Sequence, residues 1–195
     1  KRILFERDYK SEWNELAVRC AARTLAGFAD GLLGLFTPKD FWKFAQDVKN
    51  ASEQNSLSRV FAEFWAELKP QIRSHKTVKT ISEHLRLPTE TFFLDTEAHA
   101  EAGPIFDKLG LPIVHPELRA YRNLLLETGV RLPKIDDVFS IFKKNKLLER
   151  TELSTMPEEL HSDENRRSFE EALNDLYDQT PQNERLKAQE LLSQC

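Results

Sequence analysis

Residues 57 to 72 read Leu57-Ser58-Arg59-Val60-Phe61-Ala62-Glu63-Phe64-Trp65-Ala66-Glu67-Leu68-Lys69-Pro70-Gln71-Ile72. The apolar positions Leu57, Val60, Phe61, Phe64, Trp65, Leu68 and Ile72 recur every three or four residues. In a helix they share one face; in a strand they would be divided between two. The stretch therefore predicts an amphipathic helix, with Pro70 expected to stop or kink it near its end.

Upstream, Thr37-Pro38-Lys39-Asp40 has the chemistry of a helix start. Thr can cap, Pro is tolerated where no intrahelical donor is needed, and Asp favours the positive end of the helix dipole. The helix it opens carries Phe41, Trp42, Phe44, Ala45 and Val48, and the polar run Asn50 to Ser56 separates it from the next. Further upstream, Trp13, Leu16, Cys20, Leu25, Phe28, Leu32 and Leu35 recur at helical intervals from Tyr9 to Phe36 and predict one long helix or a bent pair. Gly27, Gly31 and Gly34 fall near its end, as a packing groove or a frayed terminus more than as a ligand loop.

Downstream the pattern changes. Thr77 to Ile81 reads as the start of a short helix, whereas His84 to Thr89 alternates polar and apolar and Thr91 to Leu94 reads as a returning strand, together a small hairpin. Asp95 or Thr96 caps a helix through Ile105, Phe106 and Leu109 that Gly110 stops, before the extended Leu111 to Val114. Leu118, Tyr121, Leu124 and Leu125 mark a helix ended by Gly129; Ile135, Val138, Phe139 and Phe142 mark another. Phe169, Leu173, Leu176 and Tyr177 belong to a helix begun near Ser162 or Asp163, and Thr180-Pro181 restarts the chain toward Leu186, Leu191 and Leu192 as a helical hairpin. The predicted class is mainly α: an irregular helical core domain over residues 1–148 with a small β-hairpin or extended insertion, then an acidic C-terminal helical hairpin over residues 149–195.

Composition narrows the function. Six Gly against 13 Phe and 3 Trp make phosphate-cradling loops scarce and bulky packing groups plentiful. The two cysteines, Cys20 and Cys195, provide neither a disulfide framework nor a metal-ligand spacing, which fits a reducing, cytoplasmic setting. No apolar run of about 18 residues spans a membrane, and the opening Ile3-Leu4-Phe5 is too short for a signal peptide. The chain begins on Lys1 and not on Met, as a piece of a longer protein would. From Glu149 onward 5 Lys/Arg stand against 12 Asp/Glu, a net −7 that leaves +3 for the residues before it. Such a tail reads first as a solvated helical surface and second as a face that docks on a basic partner or on the body of the chain itself.

The residue types of catalysis are present, but not in catalytic patterns. His75, His84, His99, His115 and His161 include no pair at metal-ligand spacing. In Glu97-Ala98-His99-Ala100-Glu101 residues two apart point to opposite sides of a helix. His161-Ser162-Asp163 has triad residue types in succession, but a triad converges from separated positions, and capping accounts for Ser162 or Asp163 more simply. Asp136-Asp137 suits a helix start, and Glu158-Glu159 and Glu170-Glu171 suit solvated faces. Phosphate-loop, dinucleotide and nucleophile-elbow motifs are absent, so no catalytic residue, cofactor or metal is expected. Leu118 to Lys146 loosely outlines a helix-turn-helix whose second helix ends on Lys143, Lys144 and Lys146, the residues of an alternative nucleic-acid-binding reading. Lys69, Arg73, Lys76, Lys79 and Arg86 would widen that patch if the fold joined them, although a pI near 5.8 supplies no broad attractive field.

The order of features from Trp13 to Phe142, roughly two thirds of the chain, resembles the region that follows the Hsp90-like ATPase module in sacsin-type large proteins. The resemblance is carried by Trp13-Asn14-Glu15-Leu16, the Phe41-Trp42 and Phe64-Trp65 helices, Leu87-Pro88-Thr89, and Leu109-Gly110-Leu111-Pro112-Ile113-Val114-His115. It implies a noncatalytic interaction or interdomain-coupling segment of a large ATP-dependent chaperone-like or scaffold protein. Nucleotide chemistry would lie upstream, and the partners would be other domains of the parent chain or client proteins. Phe41, Trp42, Phe64 and Trp65 would be structural anchors.

Overall fold

A computed structural model describes residues 9–27, 31, 34–53, 58–95, 98–144, 158–182 and 185. The protein is mainly helical with one small antiparallel hairpin. Seven α-helices occur among these residues: α1 (Tyr9–Gly27), α2 (Pro38–Glu53), α3 (Ser58–Ser74), α4 (Ala98–Leu109), α5 (Arg122–Thr128), α6 (Ile135–Lys144) and α7 (Asp163–Gln179). The hairpin consists of β1 (Val78–Lys79) and β2 (Leu85–Arg86), with Val78 opposite Arg86 and Lys79 opposite Leu85. The chain divides into two compact units, one of Lys1–Lys79, Leu85–Thr89 and Glu117–Gly129, the other of Thr80–His84, Glu90–Pro116 and Val130–Cys195.

In the first unit, α2 begins as its sequence dictates. The Thr37 hydroxyl accepts the Asp40 N–H at 3.2 Å and donates to the Asp40 carboxylate at 2.6 Å, and the Phe41 N–H reaches the Thr37 carbonyl at 2.9 Å. One orphan donor of the first turn, the Asp40 N–H, is thereby satisfied. The buried face of α2, Phe41, Trp42, Ala45 and Val48, meets Trp65, Leu68 and Ile72 of α3, and Leu118, Leu124 and Leu125 complete the core. Trp42 is fully buried, and its indole N–H donates to the Thr77 carbonyl at 2.9 Å, so the largest core side chain carries no unpaired polar atom. The expected stop at Pro70 does not occur: α3 runs through it to Ser74. Pro70 faces outward and removes one backbone bond close to the helix end, while Leu68 and Ile72 on either side are fully buried.

The second unit packs α4 against α7, with Phe106 and Phe169 in ring contact at 4.9 Å and α6 supplying Val138 and Ile141. Asp163–Gln179, the first helix of the acidic tail, thus presents Phe169, Ala172 and Leu176 to a shared core. Its predicted partner helix, with Leu186, Leu191 and Leu192, lies outside the described residues. Ser162 occupies the N-cap position of α7, yet its side chain makes no capping bond.

The extended segments pair differently from expectation. Thr91–Leu94 does not return along His84–Thr89, because a 3-10 turn at Pro88–Glu90 intervenes. Phe92 instead bridges Ile113 on one side and Arg131 on the other, both parallel, through Phe92 N–H to Pro112 O at 2.8 Å, Val114 N–H to Phe92 O at 2.9 Å and Phe93 N–H to Arg131 O at 2.8 Å. The reason is burial: Thr91, Phe92, Phe93 and Leu94 are all buried, so their backbone needs partners on both edges, whereas Leu85 and Arg86 are exposed. Thr77 to Ile81 likewise supplies β1 and not a helix, consistent with its β-branched Thr77, Val78 and Thr80. Within the turn that follows β1, Glu83 adopts a left-handed φ of 63°, Glu83 N–H donates to Thr80 O at 2.9 Å, and Thr80 N–H donates to His84 O at 2.9 Å. This is the three-residue hairpin loop in which a tight turn is followed by a left-handed residue.

Candidate interaction surfaces

α1 offers the most unusual surface. At 3.6 residues per turn, Trp13, Leu16 and Cys20 lie on one side and Val18, Ala22 and Leu25 on the other. The second set faces α3, with Ala22 fully buried and Val18 and Leu25 half-buried. The first set faces outward: Trp13 is 71% exposed, Leu16 58%, and Cys20 is exposed and free. Of the stripe read from the sequence, Trp13, Leu16 and Cys20 therefore face outward and Leu25 inward, while Phe28 and Leu32 lie outside the described residues. Helical spacing marked both faces, and only the partner helix distinguishes them.

The contact with α3 also carries two ion pairs. Arg19 donates from Nε and Nη2 to the two carboxylate oxygens of Glu63, each at 2.7 Å, and Arg23 Nε donates to Glu67 at 3.1 Å. Both pairs are 44 residues apart in sequence, so α1 and α3 run parallel along this contact. Hydrogen bonding from Glu63 and then its charge raise the Arg19 pKa. Gly27 and Gly34 would carry a methyl group into open space, so no described residue packs closely against them as a groove would require.

A second polar cluster ties the first unit together. Glu127 of α5 receives Lys49 of α2 at 2.5 Å and Lys69 of α3 at 2.9 Å. Partial burial pushes the Glu127 carboxyl pKa up, but hydrogen bonds and charge from Lys49 and Lys69 push it further down, leaving it below its usual value of 4.5. In the second unit, Asp107 accepts the Ile113 N–H at 2.8 Å and the Ser82 N–H at 3.1 Å, with the Ser82 hydroxyl as a further donor. Both carboxylates serve the fold: these bonds tie them to lysines, backbone amides and a hydroxyl of the chain itself.

The residues singled out for chemistry do not converge. His75 Nδ1 lies 2.8 Å from the Gln71 carbonyl oxygen, His115 lies 3.3 Å from Glu83, and His84 and His161 are exposed. Glu97 and the His99 side chain lie outside the described residues, and Glu101 accepts a bond from Ser168 at 3.1 Å. His161, Ser162 and Asp163 are consecutive, exposed positions leading into α7, and Asp163 pairs with Arg166. Asp137 accepts the Lys134 N–H at 3.0 Å, the helix-start role expected for it. Among the described residues no group of three or more His, Cys, Asp or Glu side chains is placed to hold a metal ion. Nor is any described helix long and apolar enough to cross a membrane.

Of the lysines in the nucleic-acid reading, Lys143 and Lys144 are exposed on the last turn of α6, and Lys146 lies outside the described residues. The helix-turn-helix outline is divided: α5 packs on α3 in the first unit and α6 packs on α7 in the second. In the other basic stretch, Lys69 is taken by Glu127, and Lys79 lies 3.3 Å from Glu117. Phe41 and Trp42 are fully buried, Trp65 is buried, and half-buried Phe64 meets Phe44 edge-on at 6.3 Å, an arrangement of anchors and not of an open patch. Comparison with protein families, with characterised proteins and with solved structures finds no match to this chain.

Proposed function

We propose that the chain is a noncatalytic interaction and interdomain-coupling segment of a larger, sacsin-type, ATP-dependent chaperone-like or scaffold protein of the cytoplasm. The observation that supports this reading is the outward face of α1, where Trp13 and Leu16 are exposed opposite the side that packs on α3. Aromatic and aliphatic side chains in such a position are the anchors that protein interfaces bury. The partner is a neighbouring module of the same parent chain, the Hsp90-like ATPase module first among them.

The test is calorimetric titration of the chain with that purified module. Binding is expected, together with a loss of at least about ten-fold in Trp13→Glu/Leu16→Glu, the scale of a two-residue hot spot, while helical content stays unchanged. A folded chain that binds no neighbouring module counts against the reading. Salt-sensitive binding of a DNA or RNA duplex that disappears on neutralising Lys143, Lys144 and Lys146 would replace it with the nucleic-acid alternative.

A further inference from the structure

α1 and α2 both pack on α3, but by different means. α2 does so with Phe41, Trp42, Ala45 and Val48, all buried. Among the described side chains of α1 only Ala22 is fully buried, Val18 and Leu25 are half-buried, and the parallel ladder of Arg19 to Glu63 and Arg23 to Glu67 adds the ion pairs of the contact. Apolar burial holds in proportion to the area removed from water. Exposed ion pairs hold weakly, and less so as salt rises. Arg19 and Arg23 are both exposed, and Glu63 and Glu67 are half-buried. The Arg19 pKa is raised first by its hydrogen bond to Glu63 and then by the charge of Glu63, with smaller contributions from Glu15 and Glu67.

We infer that α1 is a releasable strap, docked on α3 by the Arg19–Glu63 and Arg23–Glu67 ladder and able to undock as a unit while α2, α3 and α5 remain folded. Ionic strength sets the balance between the two states. Undocking exposes Val18, Ala22 and Leu25 and, on α3, frees Glu63 and Glu67. The core of Trp42, Trp65, Leu68 and Leu124 is untouched, because none of it belongs to α1. How α1 is held is independent of what its outward face meets, so the strap and the proposed function stand or fall separately.

The experiment places a thiol at the buried position. Ala22→Cys in a Cys20→Ser/Cys195→Ser background is labelled with a thiol reagent at about 0.1 M and about 1 M sodium chloride. Labelling is expected to accelerate at least about five-fold in high salt. In an added Arg19→Gln/Arg23→Gln variant it should be fast at both concentrations, with the urea midpoint of the remainder unchanged. A labelling rate that ignores salt, or one that follows global unfolding in urea, overturns the inference. Should Ala22→Cys itself disturb folding, hydrogen exchange of the unmodified chain measures the same release. Amides of α1 should exchange at least about ten-fold faster than those of α2, and faster again in high salt; equal protection of the two helices overturns the inference.

Discussion

At the scale of single residues, three side chains show how local chemistry is used. Trp42 is fully buried, with its N–H committed to Thr77 O. Trp42→Ala should destabilise by about 3–5 kcal/mol through the cavity it opens. Trp42→Phe should still lose about 1–3 kcal/mol, because the Thr77 carbonyl is left buried without its donor; urea unfolding followed by circular dichroism measures both. Glu83 pays for a left-handed backbone that glycine adopts freely. Glu83→Gly is therefore expected to raise stability by roughly 1 kcal/mol even though its contact with His115 is lost. Glu127 contributes a pH dependence. Its folded-state pKa is depressed, so its contribution is complete above the unfolded value and disappears as pH falls through the folded one. The urea midpoint of the parent chain should drop more than that of Glu127→Gln between about pH 5 and about pH 3, and equal slopes would refute the lysine clasp.

At the scale of elements, helix ends were legible from sequence because their signals are local. Thr37 with Asp40, Gly110, Gly129 and Asp137 each stand where the chain order alone placed a start or a stop. Gly110 and Gly129 both have positive φ, 103° and 118°, but a methyl group at Gly110 meets open space, whereas at Gly129 it would lie 3.1 Å from the Thr89 methyl carbon. Gly129→Ala should accordingly cost more than Gly110→Ala, each by about 1 kcal/mol or more in chemical denaturation. Strand pairing was less legible. The extended character of Thr91 to Leu94 could be read, but not that Phe92 would bridge Ile113 and Arg131, which are set by contacts 21 and 39 residues away. The same limit applies to α1. Two apolar faces are present in its sequence, and the choice between them depends on Glu63 and Glu67, residues of a helix two elements later.

At the scale of the molecule, neither compact unit is a continuous length of chain: the backbone passes between them after Lys79, His84, Thr89, Pro116 and Gly129. A fragment ending at Lys79 lacks Leu118, Leu124 and Leu125, all fully buried in the first unit. It is expected to show weakened, non-cooperative unfolding in urea where the full chain unfolds cooperatively; a cooperative fragment of equal stability would contradict the partition. This interleaving was invisible in the sequence, where residues 1–148 read as one helical core, because hydrophobic periodicity reports which face of an element is buried and not which distant element buries it. The candidate surface was partly legible for the same reason. Trp13 and Leu16 stood out as a stripe, and their outward direction did not.

Interleaving also has a consequence in time. Ribosomes deliver a chain from one end, and Trp42 leaves the ribosome about 76 residues before Leu118, one of the fully buried residues that complete the same compact unit. At roughly 5–20 residues per second the aromatic faces of α2 and α3 wait on the order of 4 to 15 seconds for that cover. During synthesis the core of this unit is therefore completed late, and α2 and α3, with Phe41, Trp42 and Trp65, are expected to stay incompletely covered until residues 117–129 follow.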